Sequence, residues 1–233
     1  QEKEYALNEK MKELNIDYDS SRVIWMEGKK VETILNLCEL NRIDLLVLGA
    51  RVKENIFKYY VGSVARNISR KASCSVMLVT SLVSSSHRYN KIVVNAIDTV
   101  NDNTINTALY VAEHVRAEEV YIVNELENQY PLLGDSAIKS MEASKTGIKK
   151  QEIFMQALAD KYENSGFRII NRTIKGKPGY AVSKFAKNKK ADLLVVSSPD
   201  INLNLMDRIF THDMEYILAH LPCNLLIVHP KES

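Results

Sequence analysis

An open, doubly wound α/β sheet built as a tandem repeat is the fold class this sequence predicts, and three observations predict it. The first is self-similarity. Gly28 to Asp44 encloses a helical stretch running into Asp-Leu-Leu-Val, and Gly176 to Asp192 encloses another, 148 residues further on. Cys74-Ser75-Val76-Met77-Leu78-Val79 is answered by Cys223-Asn224-Leu225-Leu226-Ile227-Val228 at an offset of 149. The second observation is that the apolar runs are short and continuous rather than alternating, which is the pattern of strands buried on both faces. The third is that these runs alternate with amphipathic helical stretches, the order that builds a parallel sheet.

Taken along the chain, EKEYALNEKMKELN reads as helical, and Val23-Ile24-Trp25-Met26 is the first strand candidate, with Trp25 expected in the core. Val31, Ile34, Leu35 and Cys38 then recur at helical spacing, with Cys38 on the apolar face. Leu45–Leu48 is a strand, Val61, Val64, Ala65 and Ile68 mark a helix, and the run after Cys74 is a third strand. Thr80 to Asn90 is Ser-rich and reads as a linker. Beyond it, Ile92-Val93-Val94, Val120–Val123, Leu193–Val196 and Leu225–Val228 read as strands. Ile105, Ala108, Leu109 and Ala112 mark one helix between them, and Met155, Leu158, Ala159 and Tyr162 mark another.

The expected organisation is a first copy over 1–80, a linker over 81–90 and a second copy over 91–233. The second copy reads as the fuller of the two, and the first, with three strand candidates, as incomplete. Mapped backwards, its start falls about sixty residues before Gln1. The chain therefore reads as an excised part of something longer, or as a shortened copy completed by another chain.

Composition narrows the function classes. Lys+Arg 31 against Asp+Glu 29 leaves a formal charge of +2, so there is no electrostatic footprint for nucleic acid or an anionic membrane surface. No apolar run approaches the roughly 20 residues of a membrane span. Three cysteines, an odd number with no CxxC spacing, argue against a disulfide framework or a structural zinc site and favour a reducing, cytoplasmic setting. Cys38, Cys74 and Cys223 are expected in the core.

The chemically informative stretch runs from Leu48-Gly49-Ala50-Arg51 to Val61-Gly62-Ser63-Val64. Gly49 ends a strand and Gly62-Ser63 opens a helix. Backbone can approach a ligand at such a glycine, and a helix N-terminus offers free N–H groups to an anion. Open α/β sheets bind ligands outside the carboxyl ends of their strands, where this segment must lie. The same residues also fit a tight turn at Gly49 and a plain N-cap at Ser63. Arg51, Lys53, Lys58, Arg66 and Arg70 surround the segment. Cations there would suit phosphates, but Arg66 and Arg70 at i, i+4 read better as a solvated helix face. His212 and His220, with Asp213 and Glu215 nearby, are too widely spaced for a metal set and read as surface residues. There is no GxxxxGK[ST], GxGxxG, GxSxG or HExxH, and no nucleophile–base set can be assembled.

The segment DLLVLGARVKENIFKYYVGSVARNISRKASCSVMLV resembles the C-terminal half of a universal stress protein domain, whose pattern is G-2x-G-9x-G-[S/T] followed by a helix and a Cys-Pro-Val strand. Gly49 matches the first Gly, and Gly62-Ser63 match the last pair. Val52 replaces the middle Gly and Ser75 the Pro. The resemblance covers most of the chain in two copies. It implies a Rossmann-like sheet of the adenine-nucleotide alpha-hydrolase kind. It further implies a cradle for the phosphates of ATP or another adenine nucleotide, with a divalent ion such as Mg²⁺, formed by Gly49, Arg51, Val52, Gly62, Ser63 and Val64.

In the second copy Ser197 replaces the first Gly and Thr211-His212 replace Gly-Ser, with one residue inserted. Ile201 and Asn202 supply no middle Gly, and Asp207 and Asp213 would repel phosphate. Asp98 lies near the place of the family's nucleoside-contacting Asp. The last strands of two units pair in this family, so residues 75–79 and 224–228 are expected to form a seam that makes the chain its own pseudo-dimer, with a homodimer also compatible. The implied function is a regulatory binding module without catalysis beyond at most slow ATP hydrolysis. The alternative is a cytoplasmic regulatory tail of a membrane transporter, of the cation/proton antiporter type, that binds no nucleotide.

Overall fold

The computed structural model describes residues 2–13, 24–53, 58–80, 89–96, 103–126, 149, 152–158, 160–198 and 212–229. The first copy contributes α1 (Glu2–Glu13), α2 (Lys30–Leu40), β1 (Leu45–Gly49), the short strands β2 (Arg51–Lys53) and β3 (Lys58–Tyr60), α3 (Ser63–Lys71) and β4 (Ser75–Val79). The second contributes β5 (Lys91–Asn95), α4 (Asn103–Val115), β6 (Glu119–Leu126), the helical residues 152–158, and β7 (Arg168–Lys175). It continues with α5 (Tyr180–Lys189), β8 (Leu193–Ser197), α6 (His212–Ala219) and β9 (Asn224–Val228).

Seven strands form one sheet in the order β1-β4-β9-β8-β5-β6-β7, and β2 and β3 form a separate ribbon. Every pairing in the large sheet is parallel except β4 with β9, which run antiparallel with Met77 opposite Leu226. This is the junction expected of residues 75–79 and 224–228. Within the second copy the order β9-β8-β5-β6-β7 reverses direction between β5 and β8, the topological switch of a doubly wound sheet.

Strand residues alternate between two cores, which is why the runs are continuously apolar. Leu194, Val196, Leu225 and Ile227 join a cluster with Cys38 of α2, Val182 and Ala186 of α5, and Met214, Ile217 and Leu218 of α6. Leu193, Val195, Leu226 and Val228 join a second cluster with Ile105, Ala108, Leu109 and Ala112 of α4 and with Leu158. The repeat extends to backbone conformation. Gly28 and Gly176 both take positive φ, 142° and 153°, ahead of α2 and α5, and a β-carbon on either would lie within 3 Å of a side-chain atom. An L-side chain is strained there, so both copies keep glycine at this turn.

Two expectations for the first copy are corrected. Ile24, Trp25 and Met26 belong to no strand and are exposed, Trp25 at 57%; Val23 lies outside the described residues. The corresponding strand in the second copy is β7, which forms because β6 presents an edge along eight paired residues. Among the described residues the first copy has no counterpart of β6, so an apolar run with no ladder partner stays irregular and Trp25 stays in solvent. The second correction concerns Leu45–Leu48, expected to be buried on both faces. Leu46 and Leu48 pack onto the core, but Leu45 and Val47 face solvent. The β7 strand itself was hard to read because it sits at the sheet edge and carries Asn171, Arg172 and Thr173, all exposed.

Candidate functional site

The segment between Gly49 and Gly62 contains a ribbon rather than an open loop throughout. Arg51 and Val52 fall in β2, whose backbone pairs with β3, placing Val52 opposite Tyr59. Gly49 ends β1 in register with Val79, and Ala50 extends the pairing by donating its N–H to the Val79 carbonyl at 2.8 Å. Gly62, at φ −64° and ψ 161°, is the N-cap of α3, and Ser63 is the first helical residue. The N-cap reading of Ser63 is thereby corrected: the cap is a glycine with no side chain, and no side-chain bond caps the helix.

A cavity of about 270 Å³ lies where these pieces meet. Gly49, Gly62, Ser63 and Val64 line it, over Ile34, Leu48 and Ile68. It therefore sits at the carboxyl end of β1 and at the N-terminus of α3, where the first-turn N–H groups carry the positive end of the helix dipole. The first turn of α3 holds no acidic residue to oppose an anion at that end, and Arg70 and Lys71 in its last turn stabilise the negative end of the helix. A β-carbon on Gly49 would have no atom within 4 Å, so space is open in front of it. Ligand pockets for whole drug-sized molecules run from roughly 300 to 1,000 Å³. This cavity suits one end of such a ligand.

Arg66 and Arg70 do not form a solvated face but are ion-paired and partly buried. Arg66 Nη1 and Arg70 Nη2 donate to the two carboxylate oxygens of Glu215 in α6, the second at 3.0 Å. The Val61 N–H, immediately before the Gly62 cap, donates to the Leu218 carbonyl of the same helix at 3.2 Å. The second copy thus holds the start of α3 from behind. Spacing within one copy could not reveal these bonds, because the partners are 145 to 157 residues apart.

The corresponding place in the second copy is built differently. The first turn of α6 carries Asp213 and Glu215, opposing an anion at that terminus. Ser197 ends β8, and its hydroxyl donates to the Ser198 carbonyl at 3.2 Å. A feature the sequence reading missed lies at the neighbouring strand ends. The Glu125 carboxylate accepts the N–H groups of Gly179 and Val182 at the start of α5, at 3.0 and 2.8 Å, and the Asn95 amide at 3.1 Å. A protein carboxylate already satisfies that helix N-terminus. Only the fold brings Glu125 there, since in sequence it is one acid after an apolar run.

The remaining candidates divide between two groups. His212 and His220 are exposed, and His220 stacks on Tyr216 with ring centroids 4.8 Å apart. Among the described residues no group of three or more His, Cys, Asp or Glu is placed to hold a metal ion. Cys38, Cys74 and Cys223 are buried thiols. Burial pushes the Cys74 thiol up to about 11 and the Cys223 thiol to about 12. Asp98, Ile201, Asn202, Asp207 and Thr211 lie outside the described residues, as do the side chains of Arg51, Val52, Lys53 and Lys58.

The sequence model of the universal stress protein family matches residues 1–80 and 88–229. A universal stress protein from Archaeoglobus fulgidus superposes with a TM-score of 0.69 at 16% identity, covering 97% of this chain and 76% of its own. A Pseudomonas aeruginosa PAO1 protein of unknown function superposes at 0.64 with 15% identity, covering 98% of this chain and 78% of its own. At these identities the likeness concerns the fold. No curated protein sequence matches significantly. The transporter-tail reading draws no support from these matches, and no described helix is long and apolar enough to cross a membrane.

Proposed function

The chain belongs to the universal stress protein family, and from that premise we propose that it is a stress-response binding module whose first copy takes the phosphate end of an adenine nucleotide, with ATP as the reference ligand. The observation that carries this reading is the cavity at the carboxyl end of β1, where Gly49, Gly62, Ser63 and Val64 meet an uncapped helix N-terminus. Phosphate oxygens would accept the first-turn N–H groups of α3, helped by the helix dipole and by the Ser63 hydroxyl. Ile34 and Ile68 supply an apolar floor. Arg51 and Val52 belong to the same candidate site by position in β2. A divalent ion such as Mg²⁺ would arrive with the nucleotide in this reading.

The second copy serves in this reading as a structural partner. Acidic residues in the first turn of α6, and Glu125 on the start of α5, both work against a second anion site. Catalysis is not part of the proposal. A cytoplasmic location follows from the same reading.

The test is the mass of nucleotide released from freshly denatured, purified protein, with Gly62→Glu for comparison. Close to one ATP, ADP or AMP per chain, lost in the variant while its melting temperature holds, is the expected result. No release, together with no heat of binding on titration with ATP and Mg²⁺, would overturn the proposal.

A further inference from the structure

The two copies meet about an approximate two-fold axis, and the repeat locates it. Positions in β4 and β9 correspond at an offset of 149, and Met77 lies directly opposite Leu226, its own counterpart. The flanking bonds obey the same symmetry. Ser75 Oγ accepts the His229 N–H at 3.3 Å. Asn224, the counterpart of Ser75, accepts through Oδ1 the N–H of Thr80, the counterpart of His229, at 2.8 Å. Near such an axis each residue meets its own equivalent, so a pairing of identical units would bring like against like.

Arg66 and Glu215 are equivalents at this same offset, and they meet across the axis, with Arg70 on the second oxygen of Glu215. The three side chains are 28–32% exposed, so the charges are only partly screened by solvent. The strands alone carry no such distinction: Val76 and Leu78 of β4 and Leu225 and Ile227 of β9 present buried apolar residues at corresponding positions.

We propose that Arg66, Arg70 and Glu215 form a pairing code, which docks the first copy on the second and opposes docking of either copy on another of its own kind. Two first copies would set Arg66 and Arg70 against the same pair of cations. Two second copies would set Glu215 against Glu215. The attractive element for the correct seam and the repulsive element against the wrong ones are therefore the same three side chains. The proposal does not depend on what the cavity binds.

Charge reversal in the full chain tests it. Arg66→Glu with Arg70→Glu reverses one side, and Glu215→Arg reverses the other. Each reversal alone is expected to lower the melting temperature by about 2–4 °C, and the combined triple variant to regain at least half of the summed loss. Strictly additive losses would overturn the proposal. Partner choice is read by co-expressing a tagged Arg66→Glu/Arg70→Glu chain with an untagged Glu215→Arg chain. Exchange of units between them makes both seams attractive, so the untagged chain is expected to co-purify with the tagged one, as wild type does not with tagged wild type. Equal recovery in the two experiments, or none from the reversed pair, would overturn the code.

Discussion

Leu45-Leu46-Val47 and Leu193-Leu194-Val195 are nearly one strand sequence placed in two neighbourhoods. Both are parallel strands, and both follow an Asp and a helix. Yet Leu193 and Val195 are 1% and 0% exposed, whereas Leu45 and Val47 are 46% and 55% exposed. The difference is not local. β8 is flanked by β5 and β9 and covered by α4, while among the described residues β1 ends the sheet with β4 on one side alone. A continuous apolar run says that a strand can be buried on both faces; whether it is buried depends on what packs over each face, as α4 does over Leu193 and Val195.

The largest expected effect breaks this comparison directly. Val195→Lys puts a charge into a closed core and should abolish cooperative folding, a cost of more than about 4 kcal/mol. Val47→Lys should change stability by no more than about 0.5 kcal/mol. Urea unfolding followed by circular dichroism measures both, and a loss at Val47 as large as at Val195 would mean that β1 is covered in solution.

A smaller effect separates two glycines. Gly179, at φ 74°, has the Asp213 carbonyl oxygen 2.5 Å from where a β-carbon would sit, so Gly179→Ala should cost about 2–4 kcal/mol. Gly49→Ala meets open space and should leave stability within about 0.5 kcal/mol. If Gly49→Ala nonetheless weakens nucleotide retention, the loss belongs to the cavity and not to the fold. Equal melting temperatures for the two variants would contradict the close approach at Gly179.

The smallest effect compares Cys74 with its counterpart Cys223. Desolvation raises both thiols above the ordinary value of 9.0, Cys74 to about 11 and Cys223 to about 12. Folding holds protons that the unfolded chain releases, so this contribution is fully present below pH 9 and fades as pH rises through the folded values. Stability should therefore decline from pH 9 towards 11, with the decline blunted in Cys223→Ala more than in Cys74→Ala. A flat urea midpoint over that window, or identical slopes for the two variants, would contradict the difference in burial. Below pH 9 the native thiols should react slowly with an aromatic disulfide reagent and all three should react after unfolding.

Much of the second copy was legible because pattern and environment agree there. Ile92-Val93-Val94, Leu193–Val196 and Leu225–Val228 are apolar without interruption, and all lie in the sheet interior. Where environment departs from pattern, the reading failed. Trp25 has the composition of a core strand, but its neighbours in the sheet are missing among the described residues. At the candidate site, Gly49, Gly62, Ser63 and Val64, singled out in the sequence, line one cavity. Glu125, Glu215 and Leu218 were invisible, because a carboxylate or a carbonyl acquires such a role only from what the chain folds against it.

The sequence by itself determined the repeat, the α/β class, the direction of most strands and the glycines that punctuate them, since these follow from local periodicity and local stereochemistry. The tertiary structure alone decided which edge of β1 stays open, how β4 meets β9, and that two arginines expected in solvent clasp a glutamate from the other copy. Edge pairing and charge pairing depend on groups far apart in the chain, and no local pattern records which distant residues will face each other.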